Sequence, residues 1–129
     1  MHYLGVDYGL KKMGLAISEG QIASPLKVIE ITGLNDAISK ISQVIKSEEI
    51  ERVVIGIPES GEAKNIAKKF ATELKSKQEA VSVIEADETL SSQTAKNLMI
   101  DLGVGEKARQ KEDAYAATII LQNFIDSLP

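Results

Sequence analysis

The sequence predicts an α/β fold, a five-stranded mixed sheet with helices on both faces. Three observations predict it. Residues 2–31 hold three short strand patterns, the first two joined by a turn. After them, strand and helix patterns alternate to the end of the chain. Arg52-Val53-Val54-Ile55-Gly56-Ile57-Pro58 is a continuous apolar run stopped by proline, as in a strand buried on both faces. The 129 residues suit one domain, 1–129, with a single sizeable core.

Each element follows from local pattern. Residues 2–8 and 13–18 read as strands, and the turn around Gly9 to Lys12 makes them a hairpin. A third strand, Leu26 to Ile31, follows Pro25. Leu34, Ala37, Ile38, Ile41, Val44 and Ile45 recur at helical spacing. The run from Arg52 is strand four. A second helix carries Ala63, Ile66, Ala67, Phe70 and Leu74 on one face. Val81 to Ala86 reads as a fifth strand. Ser91 or Ser92 caps a helix with Ala95, Leu98 and Met99, and Leu102 to Gln110 is a loop with Gly103 and Gly105. The last helix starts near Lys111. Strands one to three form an antiparallel meander. Strands four and five arrive after helical crossovers and so lie parallel to a neighbour, which gives the order 3-2-1-4-5.

Composition narrows the chemistry. Hydrophobic residues make up 43%, which marks a globular chain. No apolar stretch approaches a membrane span and no signal-peptide pattern opens the chain, so a reduced, cytoplasmic setting is expected. With Cys 0 and a single histidine, His2, thiol nucleophiles, zinc thiolates, Ser-His catalysis and multi-His metal sites are excluded. Carboxylates remain as the main source of chemistry. The net charge of -4 counts against nucleic-acid binding at first sight. Two divalent cations held by carboxylates would cancel it. The basic candidates for a nucleic-acid backbone are then Lys11, Lys12, Lys64, Lys107, Arg109 and Lys111, with Lys68 and Lys69 nearby. The plain alternative is that these are solvated surface charges.

Three acids stand out by position. Ligands of open α/β sheets bind beyond the carboxyl ends of parallel strands. Asp7 ends strand one, Gly56-Ile57-Pro58 ends strand four, and Asp87-Glu88 ends strand five. Asp7 and Glu88 can therefore converge, with Gly56 between them. Asp113, Ala117, Ile120, Leu121 and Phe124 follow helical spacing, which places Asp113 on the sheet-facing stripe of the last helix. Its neighbour Glu112 falls off that stripe, into solvent. Converging carboxylates repel, and a divalent cation relieves that repulsion. Hard oxygen donors suit Mg²⁺ or Mn²⁺, and a pair of ions would orient a water and stabilise the leaving oxygen of a phosphodiester. Acids at strand ends and helix starts also occur incidentally, so placement alone leaves both readings open.

Four motifs in order carry a resemblance over essentially the whole chain. They are Gly5-Val6-Asp7-Tyr8-Gly9 with Met13-Gly14-Leu15-Ala16-Ile17-Ser18, then Gly56-Ile57-Pro58, then Asp87-Glu88-Thr89-Leu90-Ser91-Ser92, then Asp113-Ala114-Tyr115-Ala116-Ala117. The chain resembles the YqgF-type pre-16S rRNA nucleases, also described as Holliday junction resolvases, of the RNase H-like superfamily. The resemblance implies an RNase H-like fold and a catalytic, metal-binding set of Asp7, Glu88 and Asp113 with Mg²⁺ or Mn²⁺. It also implies a hydrolase, an endonuclease acting on structured RNA in ribosome biogenesis or on branched DNA, as a monomer or weak homodimer. Two positions depart from the family pattern: Thr89 replaces an arginine, and the segment Glu59-Ser60-Gly61-Glu62 is shorter than the usual loop.

Three other readings differ in kind. The Asp7–Lys12 turn resembles the phosphate-binding hairpin of sugar kinases and actin-like ATPases, but those proteins close two such domains around a nucleotide. A non-catalytic nucleic-acid-binding RNase H-like module would have lost the acids. An ordinary α/β domain would carry them incidentally.

Overall fold

The computed structural model describes residues 2–87 and 112–128. Its strands are β1 (Tyr3–Tyr8), β2 (Lys12–Ser18), β3 (Ser24–Glu30), β4 (Arg52–Ile57) and β5 (Ser82–Asp87). The helices are α1 (Leu34–Ser47), α2 (Gly61–Lys77) and α3 (Glu112–Asp126). The sheet runs β3-β2-β1-β4-β5. β1–β2 and β2–β3 pair antiparallel, while β1–β4 and β4–β5 pair parallel. This is the expected topology, with β1 in the centre.

The pleat sorts the strand residues between two layers. Leu4 and Val6 of β1, Met13 and Leu15 of β2, and Val53 and Ile55 of β4 pack with Ile41 of α1 and Phe70 and Leu74 of α2. On the other face Ala16 and Val54 pack with Ala117, Ile120, Leu121 and Ile125 of α3. Phe70 is fully buried and stacks on Tyr8, with ring centroids 4.2 Å apart and an interplanar angle of 11°. Truncating such a ring costs about 3–5 kcal/mol.

Several boundaries differ from expectation for physical reasons. β3 begins at Ser24 and runs through Pro25, which sits opposite Ala16. Proline is tolerated because β3 is an edge strand, and a register shift between Leu15 and Ala16 accompanies it. β5 extends to Asp87, one residue beyond the expected end. α2 starts at Gly61, whose φ of 82° is left-handed and suits glycine. The helix expected after Ser91 or Ser92 and the loop expected over Leu102 to Gln110 lie outside the described residues, and so does the side chain of Glu112.

The far end of α3 is tied to the β2–β3 loop by one side chain. The Ala23 N–H donates to Gln122 Oε1 at 2.8 Å, and Gln122 Nε2 donates to the Gln21 carbonyl at 2.9 Å. No helix among the described residues is long and apolar enough to cross a membrane.

Candidate active site

Alternation along β1 puts Leu4 and Val6 on the α1–α2 face, so Gly5 and Asp7 fall on the α3 face. Asp7 pairs across the ladder with Gly14 of β2. Neither glycine has room for a side chain. A Cβ on Gly5 would stand 2.7 Å from the Ala117 carbonyl oxygen and 2.8 Å from Leu121 Cβ. A Cβ on Gly14 would overlap the Asp113 carbonyl, and would stand 2.6 Å from the Ala114 nitrogen. The two glycines therefore let α3 lie directly on β1 and β2, and the first turn of α3 lands beside Asp7.

The result is a depression of about 390 Å³ lined by both Asp7 and Asp113, with Leu10, Lys11 and Lys12 of the hairpin turn along its rim. Asp113 is not on the fully buried stripe that its spacing suggested. The buried stripe runs through Ala114, Ala117, Ile120, Leu121 and Ile125, which includes the expected Ala117, Ile120 and Leu121, but the Asp113 side chain is 28% exposed. The small residues Ala114 and Ala117 take the close-packed positions, which turns Asp113 to the stripe's edge and towards the depression. Lys12 Nζ stands 3.4 Å from Asp113 Oδ2. Spacing did not reveal this ion pair, because it joins a hairpin turn to a helix a hundred residues later in the chain.

Of the three expected acids, the structure brings two together. Glu88 follows the last residue of β5 but lies outside the described residues, as do Thr89, Lys107, Arg109 and Lys111. Among the described residues no three potential ligands gather into one group. Asp87 lines a second depression of about 300 Å³ with Pro58, Lys64 and Lys68. Lys68 is among the basic residues named from the sequence, and it lies one helical turn from Lys64, an i, i+4 relation. Lys68 and Lys75 flank Glu85 at 3.7 and 3.1 Å. The Lys75 hydrogen bond, then the charges of Lys75 and Lys68, hold the Glu85 carboxyl below the usual range. Tyr8, beside Asp7 in sequence, has its phenol pushed up by burial.

The donor set fits a hard divalent cation. Asp7 and Asp113 offer carboxylate oxygens alone, and His2, the single histidine, donates from Nδ1 to the Glu48 carbonyl at 2.9 Å, before the start of β1. A larger depression of about 500 Å³ lies against Tyr3, Ile22 and Gln122. Its acid, Asp126, accepts a 2.9 Å hydrogen bond from Gln122, and among the described residues no second carboxylate lines it.

A central β1 bearing an acid, flanked by an antiparallel meander and parallel crossovers, with a helix acid packed over it, is the RNase H-like arrangement of resolvase and nuclease domains. The chain belongs to the RuvX Holliday junction resolvase family, whose sequence model matches residues 1–127. It is 37% identical over 133 aligned positions to a Rickettsia canadensis protein named "Putative pre-16S rRNA nuclease", covering 97% of this chain and 86% of that one. A Sulfurihydrogenibium protein of the same name is 35% identical, with 97% and 90% covered. Among solved structures, the fowlpox virus resolvase bound to Holliday junction DNA superposes with a TM-score of 0.70 at 13% identity, covering 98% of each chain. RuvC of Thermus thermophilus with a Holliday junction substrate gives 0.65 at 18% identity, with 97% and 93% covered. At these identities the structural likeness establishes the fold.

Proposed function

We propose that this chain is a metal-dependent endonuclease that hydrolyses phosphodiester bonds, with 5′-end processing of pre-16S rRNA as its reaction. The observation that carries it is the Gly14 platform, which seats the first turn of α3 against β1 so that Asp7 and Asp113 line one depression. Asp7, Glu88 and Asp113 would hold Mg²⁺ or Mn²⁺, two ions in the full site. Bound there, the metal supplies Lewis acidity and an activated water. The chain's own contribution is to hold Asp7 and Asp113 on a strand and a helix packed directly against the same sheet face. Lys11 and Lys12, which line the depression with Asp7, and Lys64, which lines the one with Asp87, would contact substrate phosphates. Lys107, Arg109 and Lys111 would extend that grip. An rRNA substrate places the reaction in the cytoplasm, with the protein a monomer or weak homodimer.

Cleavage of branched DNA is the second reading. The family description and the junction-bound structural neighbours favour it. One assay separates the two: Mn²⁺-dependent cleavage of a structured pre-16S RNA fragment and of a four-way DNA junction, with Asp7→Asn and Glu88→Gln as controls. Faster cleavage of RNA supports the first reading and faster cleavage of the junction supports the second. Equal cleavage by wild type and both variants would sink the nuclease assignment.

A further inference from the structure

We propose that Lys12 is a built-in competitor for the Asp113 carboxylate, which weakens uptake of the divalent ion and makes its ammonium available to a substrate phosphate once the ion is in place. The inference rests on the metal-nuclease reading above.

The geometry sets the competition. Lys12 Nζ stands 3.4 Å from Asp113 Oδ2, and the two line the same depression as Asp7. The Lys12 backbone is pinned as the first residue of β2, where its carbonyl accepts the Gly9 N–H at 3.0 Å. Its side chain is a flexible four-carbon stem that is 53% exposed. An ammonium and a divalent cation drawn to one carboxylate repel each other, so each lowers the other's affinity by the same factor. Were Asp113 to hold a divalent ion, the Lys12 ammonium would swing off the carboxylate on its flexible stem while its backbone stayed in place. The freed charge then lies at the rim of the depression beside Lys11, where a phosphodiester would pass. Solvent and salt screen the repulsion, which leaves an effect of about five- to tenfold on ion affinity.

This gives a signature with two opposite signs. Calorimetric titration with Mn²⁺ alone should show Lys12→Gln binding about five- to tenfold more tightly than wild type. Lys12→Arg, which keeps the charge, should stay close to wild type. Binding of a four-way DNA junction or structured RNA in saturating Ca²⁺ should be weaker in Lys12→Gln, with a salt slope lower by about one, while without divalent ion the two proteins should bind alike. A residue that merely supports the fold would weaken both or neither. Unchanged or weaker Mn²⁺ binding in Lys12→Gln, against a wild type that binds Mn²⁺, overturns the inference and leaves the nuclease reading standing. A wild type that takes up no Mn²⁺ overturns the metal reading, and this inference with it.

Discussion

The backbone of Asp113 rests on the bare Cα of Gly14, so close that a single methyl group on the strand would overlap the Asp113 carbonyl. Gly14 is also the ladder partner of Asp7. One glycine thus sets the spacing between the two acids.

Gly14→Ala should be among the most damaging single substitutions in the chain. The obstructing atoms are backbone, so relief requires α3 to lift away from the sheet. Overpacking of this kind costs about 1–3 kcal/mol, and a backbone clash belongs at the upper end. Urea unfolding should show the loss, and cleavage should fall further than stability accounts for.

Asp7→Asn should fold and should lose its response to metal. Wild type at a hundred times its Mn²⁺ dissociation constant gains about 2.7 kcal/mol. Loss of a ligand should weaken the ion by more than the about 10–100-fold typical of outer-shell changes. Thermal unfolding with and without Mn²⁺ measures both, and an equal shift in the two proteins would argue against Asp7 as a ligand.

Acid should release two structural contacts. Asp36 accepts the Thr32 N–H at 2.9 Å and pairs with Lys40 at 3.0 Å, and the Thr32 hydrogen bond leads in holding its carboxyl below the ordinary value of 3.8. Glu85 is held below its ordinary 4.5, chiefly by the Lys75 hydrogen bond. Both groups have depressed folded values, so their stabilisation is present above those ordinary values and is lost as pH falls through the folded ones. Asp36→Asn and Glu85→Gln should therefore be less stable than wild type at neutral pH and converge with it in acid. Denaturant midpoints across pH 2–7 test this.

Gln122→Ala should loosen the end of the molecule far from the acids. It removes the acceptor for the Ala23 N–H and the donor to the Gln21 carbonyl. The expected cost is about 1–3 kcal/mol, with cleavage unchanged at temperatures where the protein is folded. Hydrogen exchange at Ala23 should speed up.

The strand order was legible because Asp7-Tyr8-Gly9 ends one apolar run and Val53 to Ile57 needs two covered faces. Gly14 and Ala16 carried a signal as well, since small residues in a strand invite close approach by a helix. What escaped was tertiary. Pro25 looked like a boundary, yet an edge strand tolerates it. Asp113 looked like a stripe residue, yet Ala114 took the packed position. Its pairing with Lys12 and the alignment of Lys68 with Asp87 depend on elements far apart in sequence. Glu88, Lys107, Arg109 and Lys111 fall outside the described residues and rest on motif and charge alone.

The central claim is that Asp7 and Asp113 act together on a phosphodiester. The most direct measurement is Mn²⁺-dependent cleavage of structured RNA and four-way junction DNA by wild type, Asp7→Asn and Asp113→Asn, each shown to be folded. The account predicts cleavage by wild type and a loss of about 10²-fold or more in each variant, with no further loss in the double variant. Wild-type rates in a folded Asp113→Asn protein would contradict it.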